Sequence, residues 1–420
     1  MNLGFQLNHS AVSEIPIIHL PASKSLANRA LVLRQLLLDR GLHAPVLENL
    51  STADDTQLLE RFFSGHQSQF NFNNAGTPIR FATAYLAQKV GSTCLLDGSE
   101  RMRKRPILGL VKALEEWGAE ITWKGEFGFP PIEIQGKNLS SIPSLLVDGS
   151  ESSQYLSACL LIAPFLNEGQ RFVWDSNQSS SAYNLLTLQL LKDWGVEIRE
   201  THNQIEVSPY QPQNKINSVY RIESDWSSAA FFYEWLAAQA SGELILADLS
   251  LDSAQPDSAL IELMKDLGIE TLQQGKDLRL IQTGKKKKRL EWNFSQCPDL
   301  APACICAAVT QVEQAVFTGL EKLNLKESPR LDELFNQLSL KGFRLEKTEN
   351  AELRFIGSGQ ISKKINFKTC ADHRLVMAFA CIQPQASEVI LDEIHWVDKS
   401  FPDFWREAAK IGISYSRYGG

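Results

Sequence analysis

With 420 residues the chain is too long for one hydrophobic core, and at about 100–200 residues per domain it should hold two or three. Hydrophobic residues make up 44% and charged residues 22%, which excludes global disorder; the net charge of −7 argues against a general nucleic-acid binder while leaving anionic small molecules open. The start, MNLGFQLNHSAVSEI, has neither a cationic segment nor a long apolar one, so no secretory signal is expected, and no run reaches the ~18 apolar residues of a membrane helix.

A helix–Gly–strand unit then recurs along the chain. A weak copy ends at Gly65 after TQLLERFF, and LVKALEEWGAEITW surrounds Gly118. LTLQLLKDWGVEIRE follows at Gly195, ALIELMKDLGIETLQ at Gly268, ELFNQLSLKGFRLEK at Gly342, and a weak copy at Gly412 after FWREAAKI. Leu110, Val111, Leu114 and Trp117 show the spacing of one buried helical face. Glycine then suits the left-handed residue that ends a helix, and the alternation Ala119-Glu120-Ile121-Thr122-Trp123 suits a half-buried strand. Six such units predict a duplicated α/β architecture. Lys285-Lys286-Lys287-Lys288-Arg289 reads as a solvated turn between two strands rather than a nucleic-acid patch. The seven cysteines lie mostly in apolar settings and read as reduced cytosolic thiols; Cys304-Ile305-Cys306 has no nearby His, so no metal site is expected.

Polar and charged clusters punctuate this pattern. Ser23-Lys24-Ser25 opens a helix with Arg29 one turn on, and reads either as a cap or as an anion site. Asn74-Ala75-Gly76-Thr77-Pro78-Ile79-Arg80 allows close backbone approach to a ligand, or forms a turn into a helix. Arg101-Met102-Arg103-Lys104-Arg105 gathers four cations, which need a counter-anion or solvent. Glu151-Ser152-Ser153-Gln154-Tyr155 offers neutral hydrogen-bonding groups, and Ser180 with Tyr183 precedes another helix. The second half adds Cys297-Pro298-Asp299, Lys326-Glu327-Ser328-Pro329-Arg330, Asp372-His373-Arg374 and Lys399-Ser400-Phe401-Pro402-Asp403. Each alone fits a capped helix start.

Taken in order, these motifs resemble those of the enolpyruvyl transferases, the EPSP synthase branch in particular. The family's SKS-x-x-x-R reads Ser23 to Arg29, its NAGT-x-x-R Asn74 to Arg80, and its R-M-x-x-R-P Arg101 to Pro106. SSQ, DxSSA, PD, KE-x-x-R, DHR and K-x-FPD stand at Ser152, Asp225, Pro298, Lys326, Asp372 and Lys399. The resemblance implies an inside-out α/β barrel type of fold: two similar domains of three α/β units each, residues 1–21 plus 225–420 and residues 22–224, with the active site in the cleft between them. It implies a cytoplasmic monomer without cofactor or metal, acting on phosphoenolpyruvate and shikimate 3-phosphate, with cleft closure during catalysis.

The resemblance also implies roles. Ser25, Arg29, Ser152, Ser153, Gln154, Ser180, Tyr183, Asp299 and Lys326 would hold shikimate 3-phosphate. Lys24, Asn74, Gly76, Arg105, Gln154, Arg330, Arg374 and Lys399 would hold phosphoenolpyruvate. Asp299 would accept the hydroxyl proton, and Glu327 and Lys24 would exchange a proton at C3. Departures from the family pattern are Ala22 for Gly, Lys322 for Asn, and Pro78 and Phe81 near the expected phosphoenolpyruvate site, which leave the response to glyphosate open. The sister branch using UDP-N-acetylglucosamine usually has Lys-Asn in place of Lys24-Ser25 and a reactive loop Cys that is missing beside Arg105. The His-containing signature of RNA 3′-phosphate cyclases is not seen, and a non-catalytic anion binder would not need Lys24, Asp299, Glu327 and Arg374 together.

Overall fold

The computed structural model describes residues 4–10, 12, 14–65, 67–148, 152, 154–173, 182–201, 203–211, 216–358, 364–382 and 388–418. The chain condenses into two compact units, a split one (Met1–Pro21 with Glu223–Gly420) and an inserted one (Ala22–Ile222), each with its own apolar core.

One βαβαββ pattern recurs in both. In the inserted unit, strand Gln69–Asn71, helix Gly76–Ala87, strand Thr93–Asp97, helix Leu108–Glu116 and the pair Glu120–Trp123 and Ile132–Gln135 build one sheet. Its first two strands are parallel, with Asn71 opposite Asp97, and the remaining pairings are antiparallel, giving the order first, second, fourth, third. Four further sheets repeat that order.

Chain ends complete two of the sheets. The fourth strand of the last sheet is the N-terminal Gly4–His9, set between Glu388–Leu391 and Ile413–Tyr418. A sixth, two-stranded sheet pairs Val46–Glu48 with Val219–Arg221, from opposite ends of the inserted unit, with Leu47 opposite Tyr220. Ile17–His19 pairs with Gly242–Ala247 although the whole inserted unit separates them in sequence. Such long-range pairing covers strand edges that would otherwise expose unpaired backbone groups.

The first helix of each pattern is apolar nearly all round and lies in a core. Every residue of Trp226–Ala238 except Ala238 is buried, as expected for a helix without a polar stripe. It packs with Ala301–Gln311 and His373–Cys381; Lys24–Leu38, Gly76–Ala87 and Gln154–Ile162 pack together likewise in the inserted unit. The second helices are amphipathic, as in Arg330–Ser339, which buries Leu331, Leu334 and Leu338. Each fully buried Leu contributes about 1.5–3 kcal/mol.

Gly118, Gly195, Gly268, Gly342 and Gly412 adopt φ between 81° and 97°, the left-handed helix end. Gly65 corrects the sequence expectation: its φ is −121°, and the chain leaves the helix Asp54–Ser64 extended. The next strand begins only at Gln69, so no immediate reversal is required there. The lysine run joins strands Asp277–Gln282 and Arg289–Asn293, but it is more than a solvated turn. Lys286 Nζ donates to the Ala237 carbonyl at 2.6 Å and Gln311 Oε1 at 2.7 Å, near the C-terminal end of Trp226–Ala238, where a cation complements the helix dipole. Lys287 and Lys288 pair with Asp266 and Glu313 at 2.7 and 2.8 Å. All seven cysteines are free, six of them buried and Cys370 half-buried.

Candidate active site

The polar motifs stand at helix starts, where unsatisfied N–H groups and the helix dipole favour negative charge. In each unit, contacts between different helix starts draw the motifs together.

In the split unit Asp299 lies in the turn Pro298–Leu300, just before Ala301–Gln311. Its carboxylate receives Arg374 Nη2 at 3.0 Å, with Lys326 Nζ at 3.4 Å and Arg330 Nη1 at 3.5 Å. Burial alone would raise its pKa, but Arg374, Lys326 and Arg330 outweigh burial and hold it well below the usual carboxylate range. Arg330 is 1% exposed. It donates through Nε and Nη2 to the two oxygens of Asp372 at 2.9 and 3.1 Å, and through Nη2 to Glu327 Oε2 at 2.9 Å. Burial disfavours its charge, yet Asp372, Glu327 and Asp299 keep the guanidinium above its ordinary value. Asp372 also accepts from Ser328 Oγ at 2.9 Å and caps its own helix through the Arg374 N–H at 3.0 Å. Lys399 Nζ lies 3.1 Å from Glu327 Oε1.

In the inserted unit, Ser23 caps the helix Lys24–Leu38, with Leu26 N donating to its Oγ at 3.4 Å. Lys24 Nζ lies 3.3 Å from Asp55 Oδ2 in the first turn of the next helix. Arg29 is buried and donates to Thr187 Oγ1 (2.7 Å), the Ser25 carbonyl (2.7 Å), Ser157 Oγ (3.1 Å) and the Tyr183 carbonyl (3.2 Å). Burial pulls its guanidinium down to about 10, opposed by Tyr183. Arg80 links three helix starts, donating to the carbonyls of Gly76 (3.0 Å) and Pro106 (2.8 Å) and to Gln154 Oε1 (3.1 Å). Gln154 Nε2 donates to Thr77 Oγ1 at 2.6 Å, and its N–H to Ser152 Oγ at 3.2 Å. Arg105 donates to the Asn74 carbonyl at 3.2 Å. A Cβ at Gly76 would lie only 2.4 Å from Arg105 Nη2, so the absent side chain makes room for a guanidinium.

This ordered set of cations, carboxylates and neutral donors can bind anionic substrates and move protons beside them. The family described as EPSP synthase (3-phosphoshikimate 1-carboxyvinyltransferase) matches residues 49–408. The chain belongs to the EPSP synthase family. It is 36% identical over 407 residues to the 3-phosphoshikimate 1-carboxyvinyltransferase of Bacteroides fragilis, covering 96% of this chain and 97% of that one. It is 30% identical over 423 residues to that of Haemophilus influenzae, covering 94% and 96%. An EPSP synthase structure from Acinetobacter baumannii superposes with a TM-score of 0.78 over 99% of this chain and 100% of that one; at 20% identity the likeness speaks for the fold.

Among the residues that the EPSP synthase resemblance singles out, Asp299, Lys326, Glu327, Arg330, Arg374 and Lys399 meet in the split unit. Ser25, Arg29 and Tyr183 meet in the inserted unit, as do Asn74, Gly76 and Arg105 around one guanidinium and Ser152 with Gln154. Ser153 and Ser180 lie outside the described residues. The sequence reading gave no role to Asp55, the Lys24 partner, nor to Asp372, the anchor of Arg330. Asp55 had one signal, an Asp54-Asp55 pair in a helix's first turn. Phe81 is buried with the Arg29 guanidinium 5.4 Å from its ring centre, so it touches a residue that the resemblance gives to shikimate 3-phosphate. Lys322 precedes the turn Leu323–Leu325, and the neighbouring Asn324 caps Arg330–Ser339 by accepting from Leu331 N and Asp332 N at 3.0 and 3.2 Å. No helix among the described residues is long and apolar enough to cross a membrane.

Proposed function

We infer that this chain transfers the enolpyruvyl group of phosphoenolpyruvate to the 5-hydroxyl of shikimate 3-phosphate with release of phosphate, a step of the shikimate pathway. The observation that carries the reading is the meeting of Asp299 and Glu327 with four cations, Lys326, Arg330, Arg374 and Lys399, in a chain of this family. Two multiply charged anions account for so many gathered cations, which would otherwise repel one another.

In this reading Ser25, Arg29, Ser152, Ser153, Gln154, Ser180, Tyr183 and Lys326 hold shikimate 3-phosphate. Lys24, Arg105 and Lys399 serve the phosphoenolpyruvate phosphate, and Arg330 and Arg374 its carboxylate, which planar guanidinium groups match well, while Asn74, Gly76 and Gln154 complete the phosphoenolpyruvate site. The 5-hydroxyl attacks C2 as its proton passes to Asp299, and C3 gains a proton from Glu327 or Lys24. Phosphate then leaves as C3 returns a proton. The chain would work as a cytoplasmic monomer without a cofactor, its two domains joined near Pro21-Ala22 and Ser224-Asp225.

Inorganic phosphate release from the purified protein tests the reading, with UDP-N-acetylglucosamine as a parallel acceptor. Release that requires shikimate 3-phosphate is expected; release with the nucleotide sugar alone, or none from folded protein, overturns it. Asp299→Ala, Glu327→Ala and Lys24→Ala should each lower turnover by about 10²–10⁴-fold, the usual weight of a general acid or base.

A further inference from the structure

Three helices of the inserted unit, Lys24–Leu38, Gln154–Ile162 and Ala182–Asp193, meet around the Arg29 guanidinium. Arg29 stands on the first and Ser157 on the second. Asn184 and Thr187, three residues apart on one face, stand on the third. All four side chains are buried, and Asn184 is not among the residues that the resemblance singles out. The bonds from Arg29 to Thr187, Ser25, Ser157 and Tyr183 leave one N–H of Nη1 without a partner among the described residues.

Ser157 Oγ accepts from Arg29 Nη2 at 3.1 Å and from Thr187 Oγ1 at 3.1 Å, so both of its lone pairs are taken. Its own proton goes to Asn184 Oδ1 at 2.9 Å. A chain of donors thus runs from the cation through one hydroxyl and ends on an amide oxygen. Every acceptor along it is neutral. The split unit answers a buried guanidinium differently, with the carboxylate of Asp372 against Arg330.

We propose that Asn184 is a positioning residue for substrate binding: by ending this network on a neutral amide, it turns the Ser157 lone pairs toward Arg29 and reserves the Arg29 charge for the carboxylate of shikimate 3-phosphate. The proposal rests on Arg29 as the group that meets that carboxylate. Without an acceptor at Asn184, the Ser157 proton has no fixed direction and can turn against the guanidinium. With an acid in its place the shape is kept but a negative charge is added one hydroxyl away from Arg29. In a buried site that charge is poorly screened, and it competes with the substrate for the same cation. The network also fixes the guanidinium plane, so the remaining Nη1 N–H keeps one direction before the substrate arrives.

The test is kcat and both KM values for the wild-type chain, Asn184→Asp and Asn184→Leu, beside Arg29→Ala. Asn184→Asp should raise the KM for shikimate 3-phosphate about tenfold, the effect of one partly screened charge, with kcat and the KM for phosphoenolpyruvate nearly unchanged. Asn184→Leu removes the acceptor without adding charge and should raise the same KM about threefold, within the worth of one hydrogen bond. It decides the matter by itself where the acid variant does not fold. Calorimetric binding of the carboxamide analogue of shikimate 3-phosphate, which brings no carboxylate to Arg29, should be equal in Asn184→Asp and wild type. An unchanged KM for shikimate 3-phosphate in either folded variant, an equal rise in the KM for phosphoenolpyruvate, or a loss that persists with the carboxamide overturns the proposal. A wild-type KM for shikimate 3-phosphate in Arg29→Ala would remove Arg29 from that substrate, and the proposal with it; a raised one leaves the reading of Arg29 in place whatever the Asn184 variants do.

Discussion

Arg330 and Arg374 in the split unit face carboxylates, whereas Arg29 in the inserted unit is held by Thr187, Ser157 and the carbonyls of Ser25 and Tyr183, all uncharged. The two arrangements solve one problem differently. A carboxylate partner neutralises a buried guanidinium and sustains its protonation, as the raised value of Arg330 reflects. Neutral acceptors satisfy the N–H groups but leave the charge for an incoming anion, and desolvation then shows as the lowered value of Arg29. At about 10 that group is still a cation at neutral pH.

The largest expected effect breaks the carboxylate arrangement. Asp372→Ala leaves Arg330 buried with fewer counter-charges and removes a helix cap, so chemical denaturation should show a loss of about 3–5 kcal/mol. A loss below 1 kcal/mol would mean that Glu327 and Asp299 alone suffice. The matching change in the inserted unit, Thr187→Val, removes one hydrogen bond to a charged group and should cost about 1.5–3 kcal/mol. Equal losses in the two variants would erase the distinction drawn between the units.

Gly76→Ala sharpens the contrast by moving a cation without removing its charge. The new Cβ collides with Arg105, so the KM for phosphoenolpyruvate should rise about tenfold, a change worth about 1.4 kcal/mol, with the shikimate 3-phosphate KM nearly unchanged. An unaltered KM would show that Arg105 does not serve that substrate.

The smallest effect comes from a carboxyl that has neither solution. Glu234 is buried inside Trp226–Ala238, and neither oxygen has a hydrogen-bond partner among the described residues. Burial raises its pKa well above the ordinary value, so the folded chain retains a proton that the unfolded chain releases. Its penalty therefore grows as pH rises from the unfolded pKa of about 4.3 toward the folded value. Glu234→Met should stabilise the chain by about 1 kcal/mol at pH 8 and by less at pH 4. Destabilisation at both pH values would reveal a packing role for the carboxyl.

Much of this was legible from the residues alone, and for local reasons. Apolar spacing marks helix faces, and the glycines of five units end those helices in left-handed backbone. Gly65 misled because glycine permits that conformation without requiring it. The motifs Ser23-Lys24-Ser25 and Lys326 to Arg330 were visible because helix starts concentrate polar residues over a few positions.

The sequence by itself determined the repeated α/β plan, the family and the polar groups available at each helix start. Only the tertiary structure decided that Arg105 fills the space above Gly76, that Asp372 rather than a nearer acid anchors Arg330 through two oxygens, and that Gly4–His9 completes the last sheet. These pairings join residues tens to hundreds of positions apart. They follow from how buried helices pack and which strand edges remain to be covered, and no local pattern encodes that.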